Sequence, residues 1–153
     1  MAVDMFLKLD GIPGESKDGF HKNWIEIESF SWGASSTGAG SGGGGGAGKV
    51  SLNDLTFVQA ANKASPKLME ACAEGRHLKD ATLSLRKSGG KQEPYLTYKL
   101  SDVLVSSFQT GGSGSDVRPM EELALNFGRV SVSYTDASGE TTAADCGGEP
   151  PRD

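Results

Sequence analysis

Residues 123–134 read LALNFGRVSVSY, and the alternation in this stretch decides the fold class. Leu123, Leu125 and Phe127 take odd positions, whereas Val130, Val132 and Tyr134 take even ones. Apolar residues at every second position put one side of an extended chain into a core, because successive strand side chains point to opposite faces. The parity changes at Gly128, so a bulge or tight turn is predicted there, re-aiming the chain while the apolar set stays inward.

The same rhythm extends in both directions from this stretch. Ala81, Leu83 and Leu85 alternate with Thr82, Ser84 and Arg86; Ser88, Gly89 and Gly90 make a turn, and Tyr95 to Phe108 returns as the second arm of a hairpin. At the N-terminus Val3, Met5, Leu7 and Leu9 oppose Asp4, Phe6 and Lys8. Gly11, Pro13 and Gly14 end that strand, and Glu15 to Lys22 reads as a charged, solvated loop. From Trp24 to Gly33, Ile25 and Ile27 share a face with Ser29 and Ser31, opposite Trp24, Phe30 and Trp32. Neither face is wholly apolar, which suits a strand contacted on both sides, and the three aromatics fit either core or interface packing. Another strand covers Lys49 to Val58.

Ser65, Pro66 and Gly75 bracket the only helix signal, with start and stop residues in the expected order. Leu68, Ala71 and Cys72 form its apolar stripe, leaving Lys67, Glu70 and Glu74 to solvent. The tally is about seven strands with one helix between the third and fourth. That predicts a mainly β fold, a β-barrel of two packed sheets with one flanking α-helix. A length of 153 residues suits one domain, here residues 1–135, followed by an irregular tail over 136–153 that lacks periodicity.

Composition and motifs exclude several functions. A formal charge of -5 argues against a nucleic-acid partner, which needs dense Lys and Arg. No apolar run reaches the roughly 18 residues of a membrane-spanning helix, and Asp4 and Lys8 interrupt the N-terminal apolar stretch where a signal peptide would be continuous. Gly43 to Lys49, GGGGAGK, matches both glycines and the lysine of a phosphate-binding loop. Val50 then stands where a hydroxyl must bind magnesium, and the following segment reads as a strand where a helix N-terminus is required. Cys72 and Cys146 are too few for a disulfide framework or a zinc site, and Cys72 belongs to the helix stripe. His21 and His77 read as a solvated loop residue and a helix-end residue. With no paired acid and base to nominate, no catalytic, metal or cofactor residue is expected.

Six ordered segments carry a family resemblance: MAVDMFLKLDGIPGESKD, the strand ending SFSWG, GGGGGAGKVSLNDLTF, SPKLMEACAEGRH, VLVSSFQTGGSG and LALNFGRVSVSY. Over residues 1–135 the chain resembles the haemolysin-coregulated proteins, the tube subunits of bacterial type VI secretion systems. The resemblance implies a non-enzymatic structural subunit whose six copies close into a ring. Such rings stack head to tail inside a contractile sheath, with a spike and effector proteins as further partners. Assembly would be cytoplasmic and secretion would proceed through the type VI apparatus without a signal peptide. The loop between the second and third strands would reach a neighbouring ring, which makes Gly38, Gly40, Gly42, Gly43, Gly44, Gly45, Gly46, Gly48 and Lys49 the expected stacking contact. Ser31 would face the lumen, and Ser29 shares its side of the strand. The tail with Cys146 matches nothing in the family and takes no role from it. From the residues alone a monomeric barrel carrying a small ligand stays open, which needs an apolar cavity; the resemblance also suggests a C-terminal toxin domain, for which the tail is too short and featureless.

Overall fold

The computed structural model describes residues 3–36, 50–87, 94–115 and 117–147. Among them are β1 (Val3–Leu9), β2 (Ile25–Ile27), β3 (Ser29–Ser31), β4 (Ala34–Ser36), β5 (Val50–Leu52) and β6 (Leu55–Ala60). Then come α1 (Ser65–Glu74), β7 (His77–Lys87), β8 (Pro94–Gly111), β9 (Met120–Thr135) and β10 (Thr141–Gly147). Eight strands form one antiparallel sheet in the order β2-β1-β7-β8-β9-β6-β3, with β10 on β9, while β4 and β5 make a separate ribbon.

β2 and β3 are halves of one extended run interrupted at Glu28, whose N–H reaches the Val58 carbonyl at 2.7 Å. The first half pairs with β1 and the second with β6, so one stretch of chain joins the two ends of the sheet. The two packed layers expected from the sequence are thus parts of one nearly closed barrel. Its interior is filled by Leu7, Ile25, Leu55, Phe57, Leu83, Leu100 and Leu123, each at most 1% exposed. Side chains at each level of a small barrel fill its interior in this way.

The inward set changes parity at one level of three adjacent strands. It passes from Leu78 to Ala81 in β7, from Leu100 to Val103 in β8 and from Phe127 to Val130 in β9. The bulge or tight turn expected at Gly128 is not there: the pairing of β8 with β9 keeps its register from Ser101↔Arg129 to Val103↔Phe127, and the left-handed residue is Asp102 of β8, at φ 55, level with Gly128. A Cβ on Gly128 would meet the Asp102 Cβ at 3.5 Å, an ordinary contact, so the bend does not depend on the glycine. The kink therefore resides in β8.

α1 packs on β8 through Leu68 and Ala71, and Cys72 of the expected stripe is only half-buried. Gly75 at φ 64 ends the helix, with its N–H on the Cys72 carbonyl and that of Arg76 on the Ala71 carbonyl. Both bonds satisfy helix-end acceptors in the Schellman arrangement. Two sequence expectations fail. The tail is not irregular throughout, since Thr141–Gly147 pairs with Arg129–Thr135. His21 is not solvated, being 2% exposed.

Candidate functional site

The wall built by β3, β6, β9 and β8 has two chemically distinct faces. Register places Phe30, Phe57, Leu123 and Phe108 in one cross-strand row on the core side. On the other side Ser31, Thr56, Ala124 and Ser107 form a row, and Ser29, Val58, Glu122 and Gln109 form the next. Ser29 and Ser31 are exposed, and the Thr56 hydroxyl bonds the Ser31 carbonyl at 3.4 Å. Apart from Val58 and Ala124, this face carries hydroxyl, amide and carboxylate groups, which water hydrates. Ser29 and Ser31 both lie on this face.

Trp24, Phe30 and Trp32 do not act together, because the break at Glu28 separates them. Phe30 and Trp32 lie edge-on to Tyr98, with ring centres 5.7 and 6.1 Å apart, and Trp32 is 6.2 Å from Phe127. These two line the core. Trp24 instead meets the His21 ring edge-on at 4.7 Å.

From this wall the chain leads into the β4–β5 ribbon, which pairs Ala34 with Leu52, Ser35 with Ser51 and Ser36 with Val50. The Asn53 N–H bonds the Gly33 carbonyl at 3.0 Å and closes its base. The expected stacking residues from Gly38 to Lys49 lie outside the described residues.

A second constellation was not legible from the sequence. Asp18 Oδ2 lies 2.7 Å from His21 Nδ1, and His21 Nε2 lies 2.9 Å from the Ser84 hydroxyl. That is the acid, imidazole and hydroxyl order of a hydrolase triad. It has no room for a substrate, since His21 and Ser84 are 2% and 3% exposed and Phe6 stacks on the imidazole at 4.3 Å. Arg86 completes the group by pairing with Asp18 and with Asp4 at 3.2 Å, its guanidinium 5.0 Å from the Phe6 ring centre. Burial alone would raise the Asp18 pKa, but hydrogen bonds from His21 and Arg86 outweigh it and hold the carboxyl below its ordinary value. The outward positions Phe6, Ser84 and Arg86 of β1 and β7 thus pin the loop of residues 13–24 over the barrel wall. The sequence signal was their alternation with Leu83 and Leu85, which does not reveal what covers them.

His77 is exposed and contacts Asp102 at 3.0 Å, and Cys146 is exposed on β10. No group of three or more His, Cys, Asp or Glu among the described residues is arranged to hold a metal, and no described helix is long and apolar enough to cross a membrane.

A family model described as type VI secretion system effector, Hcp, matches residues 6–134. The chain is 49% identical over 136 residues to Protein hcp1 of Pseudomonas aeruginosa, covering 88% of this chain and 84% of that protein. Among solved structures it is similar to Hcp1 from Salmonella typhimurium, with TM-score 0.83, 36% identity and coverage of 96% and 95% of the two chains. A type VI secretion system effector from Yersinia pestis gives TM-score 0.81 and 33% identity, covering 94% of this chain and 99% of that one.

Proposed function

Because the chain belongs to the Hcp family of type VI secretion proteins, we propose that it is the inner-tube subunit of such an apparatus. Six copies close into a ring, rings stack head to tail, and the tube is built in the cytoplasm inside a sheath. Contraction then exports it with the spike and with effectors held in the bore. The subunit acts by shape and adhesion and performs no catalysis. The observation that carries this reading is the two-faced wall: an apolar core side, and an opposite side of Ser29, Ser31, Thr56 and Gln109 suited to lining an aqueous bore. In this assignment Ser29 and Ser31 face the lumen, and the segment from Gly38 to Lys49 makes the contact between rings. Backbone lacking Cβ approaches a neighbour closely, and a head-to-tail contact repeats without closing. The filled barrel interior speaks against a small-ligand carrier, which needs an empty chamber.

The test is the mass of the purified chain by light scattering across a concentration series, with negative-stain images of the same samples. Annular particles of six-subunit mass are expected. A monodisperse monomer at high concentration would sink the proposal.

A further inference from the structure

Among the described residues the β4–β5 ribbon pairs only with itself, outside the eight-stranded sheet. A two-stranded ribbon is marginal in water, and its own ladder gives it no means of choosing a direction against the barrel. What fixes that direction must lie in its two legs, where Trp32 leads in and Asn53 and Asp54 lead out.

The incoming leg is held by packing. Trp32 enters the core beside Tyr98 and Phe127, but its indole N–H is buried with no acceptor among the described residues. Apolar burial is non-directional, so this anchor fixes a position and leaves the tilt open. The outgoing leg is held on the opposite, wet face by hydrogen bonds, which have a preferred direction. Asp54 Oδ1 accepts from the Asn126 side-chain amide at 3.0 Å, and Oδ2 accepts from the Ser106 hydroxyl at 2.7 Å. Asn126 belongs to β9 and Ser106 to β8, so one carboxylate is gripped from two strands of the wall.

Ser106 reaches this place through an irregularity in its strand. The register passes from Val105 opposite Leu125 to Ser107 opposite Ala124, which leaves Ser106 as an extra residue without a pairing partner. A bulge of this kind forfeits regular ladder pairing and re-aims a side chain. Here the re-aimed side chain is the one that meets Asp54.

We infer that Asp54, Asn126 and Ser106 form a bracket that sets the angle at which the β4–β5 ribbon leaves the barrel. Trp32 holds one leg from the core side and the bracket holds the other from the wet side, so the ribbon cannot tip towards either face. Asp54 is a positioning residue, and the β8 bulge supplies one of its two grips. The ribbon strands flank the segment to which the tube reading gives the stacking contact. The effect on stacking rests on that reading, whereas the bracket itself stands apart from it.

Double electron–electron resonance between nitroxides at Ser35→Cys and Lys8→Cys reads the ribbon's angle directly. The labelled chain carries Cys72→Ala and Cys146→Ser and is diluted with unlabelled protein. With Asp54 present, one narrow distance peak is expected; Asp54→Ala should broaden it while circular dichroism of the barrel is kept. Ser106→Ala, which removes only an exposed hydroxyl, should broaden it too. Asp54→Asn should leave the peak narrow, because its amide oxygen accepts from Asn126 and its N–H donates to the Ser106 oxygen. In assembled protein, Asp54→Ala should keep rings of six-subunit mass and need about tenfold more protein to stack them. A peak as narrow in Asp54→Ala as with Asp54 present, or equally broad in both, overturns the inference. Equal broadening in Asp54→Asn and Asp54→Ala assigns the effect to charge and overturns the bracket as well. Unlabelled wild-type protein that never forms rings overturns the tube reading alone, and the distance peaks still decide the bracket.

Discussion

Arg86 is the side chain on which the strap over β1 and β7 depends. It is 7% exposed and bridges Asp18 of the loop to Asp4 of the first strand. Removing one partner of a buried pair leaves an uncompensated charge, at about 3–5 kcal/mol, whereas replacing both with apolar residues is often nearly neutral. Arg86→Leu should therefore lower stability by that order in urea unfolding, and Arg86→Leu with Asp18→Leu should regain most of it. An additive double variant would show that the pair is not a unit. Because the folded Asp18 pKa is lowered, the unfolded chain binds this proton first as pH falls. Its contribution is complete above the unfolded carboxyl value of about 4 and is lost as pH drops through the lower folded value. Stability curves between neutral and strongly acidic pH should fall less steeply for Asp18→Asn than for the wild type. His21 shows why this strap was hidden in the sequence: a histidine among Asp18, Lys17 and Lys22 reads as solvated, and it is buried by Phe6 stacked on its ring and by Ser84, sixty-three positions away.

At the level of elements, alternation revealed whatever has one wet and one dry side. The hairpin of β7 and β8, the first strand and the helix stripe of Leu68 and Ala71 follow from spacing, because burial on one face imposes a period. Two elements lacked that asymmetry. β10 is exposed on both faces, so Thr141 to Gly147 carries no apolar set to alternate, and only the turn residues Asp136, Ser138 and Gly139 hinted at a hairpin. The run from Trp24 to Gly33 looked two-sided because its inward face changes at Glu28, where pairing passes from β1 to β6. The site itself was legible as a pair of serines on one face, but the rows that complete the wall come from β6, β8 and β9, whose register no local pattern states. Gly128 marked the kink, while the strain falls on Asp102 at φ 55. A left-handed conformation costs most side chains roughly 1–2 kcal/mol, and aspartate tolerates it better than most. Asp102→Val should thus lower the unfolding free energy measured in urea by roughly 1–2 kcal/mol, and Asp102→Gly should not. Gly128→Ala should be mild, since its new Cβ meets Asp102 at ordinary contact distance; a severe loss there would relocate the strain to the glycine.

For the whole molecule, the proposed tube requires that one chain make a contact that closes and another that does not. Ring closure needs a fixed angle between neighbours. Stacking needs a contact that repeats along an axis, and a glycine-rich segment at the end of a two-stranded ribbon suits it. If stacking belongs to the segment from Gly38 to Lys49 and closing to the rest of the chain, the two must be separable by mutation. Deleting residues 42–46 should leave annular particles of six-subunit mass by light scattering while end-to-end stacks disappear from negative-stain images. Ser31→Gln should change neither, because an exposed wall position carries no subunit contact in this scheme, and should act only on the retention of effector protein in a pull-down. A loop deletion that yields monomers would move the glycine segment into the ring contact, and the two duties would then share one contact.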